Sequence, residues 1–208
     1  MSVPADLAVV VPIKSFGAAK SRLSGVLSDA NRRALAERCA EVVLDACRPL
    51  PVFVVCDDPE VASWARGRGA RVVSPDQPGL NEAVSTGRST ARRHGFERVL
   101  VVHGDLPHAE PLLPLAHEAG DVVIVPDRRS DGTNALLVPS TNDFVFHYGP
   151  GSFDAHLAEA RRCGLSVRVV SRADLALDVD TIDDLRAAGI VAPPGTSSDA
   201  TAPEPSQK

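Results

Sequence analysis

The chain has 208 residues, a length that one domain fills comfortably, and its 44% hydrophobic and 24% charged residues are ordinary for a soluble globular protein. The formal net charge is −5 and no basic stripe is interleaved with aromatics, which sets nucleic acid aside as a partner. Apolar runs such as residues 7–11 are far too short to span a bilayer, and Asp6 before that run, with no basic region, does not read as a signal peptide, so the expectation is no membrane and a cytoplasmic location.

The first element is the β-branched run Leu7, Ala8, Val9, Val10, Val11, the pattern of a strand buried on both faces. It ends at Pro12 and gives way to a loop rich in Gly, Ala and Ser over residues 14–21. Ser28 is the expected N-cap of a helix, with Leu35, Cys39, Val42, Val43 and Ala46 recurring at helical spacing up to Pro49. A second apolar strand covers residues 52–56, a short helix residues 60–67, and a third strand residues 71–74. Residues 80–94 read as a helix ended by Gly95. The most apolar strand, 99–102, runs straight into His103, Gly104, Asp105, Leu106 and Pro107. A helix over 110–119 and a strand over 122–125 are expected next.

This rhythm predicts an α/β fold, a Rossmann-like, mostly parallel sheet with helices on both faces. With aromatics at only 4%, its core must come from Val, Leu, Ile and Ala. Beyond residue 126 the pattern changes: strands over 134–139 and 167–170 surround a helix over 153–163, which points to a mixed sheet. Residues 1–191 are expected to form a single domain, and the Pro/Ser/Thr/Ala-rich stretch 192–208 a disordered tail.

In a parallel sheet of this kind, ligands bind beyond the carboxyl ends of the strands, so the loops after strands are the candidate site walls. The first such loop holds Lys14, Lys20 and Arg22 around Gly17, and three cations on a flexible loop suit a triphosphate. Only three of the chain's 22 basic residues are lysines, and two stand in this loop. In a chain that otherwise uses arginine, that placement points to a specific task. A solvated basic loop is the competing reading. The second loop carries Asp105, placed to bind a hard cation or, alternatively, to cap the following turn.

In the third, Asp178 and Asp180 alternate around Val179 and share a side if extended, although Asp180 also fits the N-cap of a helix beginning near Thr181. The fourth is composite: Asp131, Gly132, Thr133 and Asn134, then Tyr148, Gly149, Pro150, Gly151 and Ser152, either an anion nest or a tight turn with a Ser cap. Cys39, Cys47, Cys56 and Cys163 lack metal-site spacing and read as small buried residues. His103 and His108, flanking Asp105, read as ordinary polar packing.

The ordered set Val11-Pro12-Ile13-Lys14, Ala19-Lys20-Ser21-Arg22-Leu23, Gly104-Asp105-Leu106-Pro107, Gly132-Thr133-Asn134, the Gly149 turn and Asp178 to Thr181 resembles the CofC family of 2-phospho-L-lactate or phosphoenolpyruvate guanylyltransferases. That family belongs to the wider MobA-like nucleotidyltransferase group and acts in making the deazaflavin coenzyme F-420. The resemblance implies a nucleotide-diphospho-sugar-transferase-like fold and transfer of a guanylyl group from GTP to a small phosphorylated carboxylic acid. It further implies that Pro12, Lys14, Lys20 and Arg22 serve the nucleotide, with Asn81 near the base. Asp105, Asp178 and Asp180 would hold Mg²⁺, and Thr133, Gly149 and Ser152 the acid. The downstream transferase that accepts the labile product is an expected partner.

The composition is arginine- and alanine-rich and actinobacterial-looking, and that branch of the family implies phosphoenolpyruvate over 2-phospholactate as the acid. Two rival readings remain at this point. A MobA-like molybdopterin nucleotidyltransferase would open on a glycine-rich loop that is missing here, and a non-catalytic nucleotide-binding sensor would not need all three aspartates.

Overall fold

The computed structural model describes residues 2–190; the expected tail at 192–208 lies outside the described residues. Strands β1 (Leu7–Pro12), β2 (Val52–Val55), β3 (Arg71–Val73), β4 (Arg98–Val102), β5 (Val122–Pro126), β6 (Thr133–Pro139) and β7 (Val167–Val169) form one sheet in the order β3-β2-β1-β4-β6-β5-β7. β1 to β4 are mutually parallel, β6 runs antiparallel between β4 and β5, and β7 pairs parallel with β5. One reversed strand in seven makes the sheet mixed, as the change of pattern past residue 126 implied.

The apolar strands are buried on both faces because helices cover both. Val9, Val11, Val54, Leu100 and Val123 pack on one side against Ala40, Val43 and Leu44 of α1 (Asp29–Ala46) and Val61 of α2 (Pro59–Gly67). Val10, Phe53, Val55, Val101 and Ile124 pack on the other against Val84 and Ala91 of α3 (Leu80–Arg93) and Ala160 of α4 (Ser152–Arg162). Ser28 caps α1 by accepting from the Asn31 N–H at 3.3 Å, as its sequence position implied. Gly87 sits inside α3 because the helix lies against the sheet: a Cβ there would stand 2.5 Å from Val10 Cγ1 and 2.9 Å from Val55 Cγ2.

Two local expectations are corrected. The helix expected over 110–119 is only a short 3-10 segment, Leu113–His117. Pro111 and Pro114 remove backbone donors and fix φ, so an α-helix does not propagate there. The cap of α5 (Ile182–Ala187) is Thr181, not Asp180: Thr181 and Asp184 form a reciprocal capping box. Asp183 and Asp184 place acidic groups in its first turn.

A third, smaller core positions the site. Leu23 and Leu27, on the loop after β1, pack with Leu177, Val179 and Leu185. Leu23 is fully buried, worth about 2 kcal/mol relative to exposure. That cluster ties the lysine loop to the aspartate loop, Lys20 and Asp180 being 160 residues apart in sequence, and both are held beside the carboxyl ends of β1 and β4.

Candidate active site

A cavity of about 440 Å³ opens beyond the ends of β1 and β4, where the sheet leaves room between the loops. Pro12 at the end of β1 and Lys14 beyond it stand along its wall, Gly104 and Asp105 follow β4, and Lys20, Asp178 and Asp180 complete it. Gly104 allows the close approach: a Cβ there would lie 3.1 Å from Ile13 Cγ1. Residues far apart in sequence thus meet in one place, as their positions after strands implied.

The three aspartates converge. One carboxylate oxygen from each of Asp105, Asp178 and Asp180 lies within 4.8 Å of the others. Val179 is fully buried while its two neighbours are only partly so, which turns both acids to the same side. Lys20 enters the cluster with its Nζ 2.9 Å from Asp105 Oδ2 and 3.2 Å from Asp180 Oδ1. Its backbone is left-handed, φ 57° and ψ 35°, an uncommon geometry for a residue with a side chain. Lys20 is 4% exposed at its side chain, whereas Arg22 is 77% exposed, with its guanidinium 3.9 Å from Asp180 at the rim.

The charges respond to this crowding. Burial opposes the charged forms of both Lys20 and Asp105, but their mutual attraction wins, so the lysine stays above its ordinary value and Asp105 below. Asp178 is raised, first by burial and then by the Asp105 charge. Asp105 Oδ1 is buried and has no hydrogen-bond partner among the described residues. An oxygen of that kind, beside two further carboxylates, has the chemistry of a hard-cation ligand set, so the residues present fit Mg²⁺.

The other expected site residues form a second group. Thr133 is buried at the start of β6, and its hydroxyl lies 3.0 Å from His156 Nδ1 of α4. Gly149 and Gly151 take positive φ (137° and 71°) and lead into Ser152, the first residue of α4. Asp131 already engages this turn: its Oδ2 accepts from the Gly151 N–H at 3.3 Å, and its carbonyl accepts from Phe153 at 3.0 Å. Asn81 binds the backbone of Tyr148 at both ends, accepting from its N–H at 2.7 Å and donating to its carbonyl at 3.1 Å. Its side chain therefore anchors the turn before Gly149, a structural use that its position in the first turn of α3 did not reveal.

Between the groups stands His103. It lines the cavity, its ring centroid is 5.2 Å from that of Tyr148, and its Nε2 is buried without a partner among the described residues. The sequence reading assigned it to packing, although it is the first residue after β4. Phe16, packed edge-on to Trp64 at 5.2 Å, is a further wall residue that sequence reasoning missed. The four cysteines are free; three are buried and Cys163 is partly so.

Comparison with known proteins agrees with this geometry. The family described as "Guanylyl transferase CofC like" matches residues 7–194. The phosphoenolpyruvate guanylyltransferase of Rubrobacter xylanophilus is 40% identical over 184 residues, covering 85% of this chain and 90% of that protein. That of Sphaerobacter thermophilus is 37% identical over 199 residues, covering 91% and 96%. Among solved structures, a putative nucleotide-diphospho-sugar transferase from Desulfovibrio desulfuricans superposes with a TM-score of 0.71 at 17% identity, over 88% of this chain and 85% of that one. A nucleotidyl transferase from Methanothermobacter gives 0.64 at 20% identity, over 89% and 97%. The chain is a nucleotidyltransferase and belongs to the CofC-like guanylyl transferase family.

Proposed function

We propose that the chain transfers the guanylyl group of GTP to phosphoenolpyruvate and releases pyrophosphate, a step in making the deazaflavin coenzyme F-420 in the cytoplasm. The observation that carries this reading is the meeting of Asp105, Asp178 and Asp180 with Lys20 at the floor of a cavity walled by Lys14. The relatives' names support phosphoenolpyruvate over 2-phospholactate as the acid.

A phosphate oxygen of the acid forms the new bond to the α-phosphorus, in line with the bridging oxygen that leaves on pyrophosphate. Both reacting groups are anions near neutral pH, so no proton has to be removed and no general base is needed. Repulsion between the two anions is the difficulty. Lys14 on the cavity wall and Arg22 at the rim offset charge on the triphosphate, and Lys20 does so from below. Magnesium held by Asp105, Asp178 and Asp180 would supply the remaining positive charge against repulsion and against charge building on pyrophosphate. Thr133 and the turn at Gly149 and Ser152 hold the acid, and fixing the two reactants relative to each other removes much of the entropic barrier. The guanylylated product is an energy-rich anhydride, and a downstream transferase consumes it.

The test is pyrophosphate release by purified protein with Mg²⁺, each of the four nucleoside triphosphates, and phosphoenolpyruvate or 2-phospholactate. Release that needs GTP and phosphoenolpyruvate together is expected. Release with GTP alone, or equal release with CTP, would contradict the reading.

A further inference from the structure

His156 is fully buried in α4 and has two neighbours that together settle which of its nitrogens carries the proton. The backbone N–H of His147 points at His156 Nε2 at 3.0 Å. A backbone amide only donates, so Nε2 must be the unprotonated acceptor. The neutral ring then carries its hydrogen on Nδ1, 3.0 Å from Thr133 Oγ1. Burial, with the His147 and His103 charges, lowers His156 to about 4, which keeps the ring neutral under ordinary conditions.

The consequence falls on Thr133. Its oxygen accepts from Nδ1–H, so its own hydrogen must point elsewhere, and no acceptor for it occurs among the described residues. Thr133 opens β6 next to Asn134, whose carbonyl accepts at 3.1 Å from the N–H of His103, a residue that lines the cavity. We infer that His156 is a positioning residue that orients the Thr133 hydroxyl as a hydrogen-bond donor to an anionic oxygen of the phosphorylated acid. The inference rests on the proposed placement of the acid at Thr133.

The same helix face explains how the geometry is held. Glu159, one turn after His156, accepts from the Val145 N–H at 2.7 Å, and Asn81 holds Tyr148 from α3. The segment leading to Gly149 is thus pinned at the backbone of residues 145, 147 and 148 by side chains of two helices. His156 joins that clamp to the acid-binding hydroxyl.

Two measurements test the inference. Side-chain ¹⁵N NMR of the unmodified protein at neutral pH should show His156 protonated at Nδ1 and not at Nε2; the opposite tautomer would overturn the inference. In steady-state kinetics, His156→Phe should raise KM for phosphoenolpyruvate about tenfold, as expected for one hydrogen bond to a charged group, with KM for GTP little changed. Thr133→Val should do the same, and the double variant should be no worse than either single one. His156→Asn, which places an amide donor near the Nδ1 position, should recover most of the loss. Additive effects, or a raised KM in Thr133→Val with none in His156→Phe, would overturn the inference alone. An unchanged KM in Thr133→Val would remove the acid from Thr133, and with it the inference.

Discussion

Replacing Lys20 by Met removes the ammonium while keeping a Cβ, so the left-handed backbone at φ 57° is equally strained in both proteins. What changes is charge. Asp105 and Asp180 lose partners at 2.9 and 3.2 Å and are left facing Asp178. Removing one member of a buried ion pair costs about 3–5 kcal/mol. Here the carboxylates are 31% and 41% exposed, and solvent screening brings the expected loss to about 2 kcal/mol. For a domain of this size that is a fall in Tm of about 4–8 °C.

A divalent cation should reverse part of it. In the parent, Lys20 already neutralises oxygens that a metal ion would take, whereas in the variant those oxygens are free. Mn²⁺ or Mg²⁺ should therefore raise the variant's Tm by more than the parent's. Thermal melts near pH 7, with and without metal, measure both terms. An unaltered Tm, or equal metal-induced shifts in the two proteins, would refute the idea that lysine and metal share these carboxylates.

Asp105→Asn should lower turnover by more than about a hundredfold, beyond what losing an outer-shell partner costs, while circular dichroism stays that of the parent. Near-parental activity would remove Asp105 from the metal site. Gly87→Ala should destabilise by about 1–3 kcal/mol in denaturant unfolding, because its methyl would press into Val10 and Val55. Glu159 is held well below its ordinary value, at about 2, by the Arg162 guanidinium despite burial. Its folded pKa is depressed, so its contribution is full above about 4.5 and fades as pH falls through about 2. Glu159→Gln should therefore be less stable than the parent at neutral pH, and the two should converge near pH 2.

The strands were readable because runs such as residues 7–11 and 99–102 are apolar and rich in β-branched residues at successive positions, the pattern of a sheet covered on both faces. The helix expected over 110–119 failed because Pro111 and Pro114 fall inside that span. Asp178 and Asp180 were legible as a same-side pair through the period of two, but their choice between cap and site was not. That choice rested on Thr181 and Asp184 pairing with each other, which frees Asp180 to face Lys20. The approach of Lys20 to Asp105 depends on the small core around Leu23 and Val179, whose members are scattered from residue 23 to 188. His156 had no local signature at all. A lone histidine in a helix acquires meaning only when the fold brings Thr133 and the His147 amide to its two nitrogens.

Following the α-phosphorus of GTP tests the central claim most directly. Protein, Mg²⁺, phosphoenolpyruvate and α-³²P-labelled GTP are incubated with inorganic pyrophosphatase to draw the reaction forward, and the labelled products are separated and weighed by mass spectrometry. The account predicts that the label appears in a single new species with the mass of GMP joined to phosphoenolpyruvate, and that Asp105→Asn does not form it. Label that remains in GTP, or passes only to GMP or GDP, would contradict guanylyl transfer.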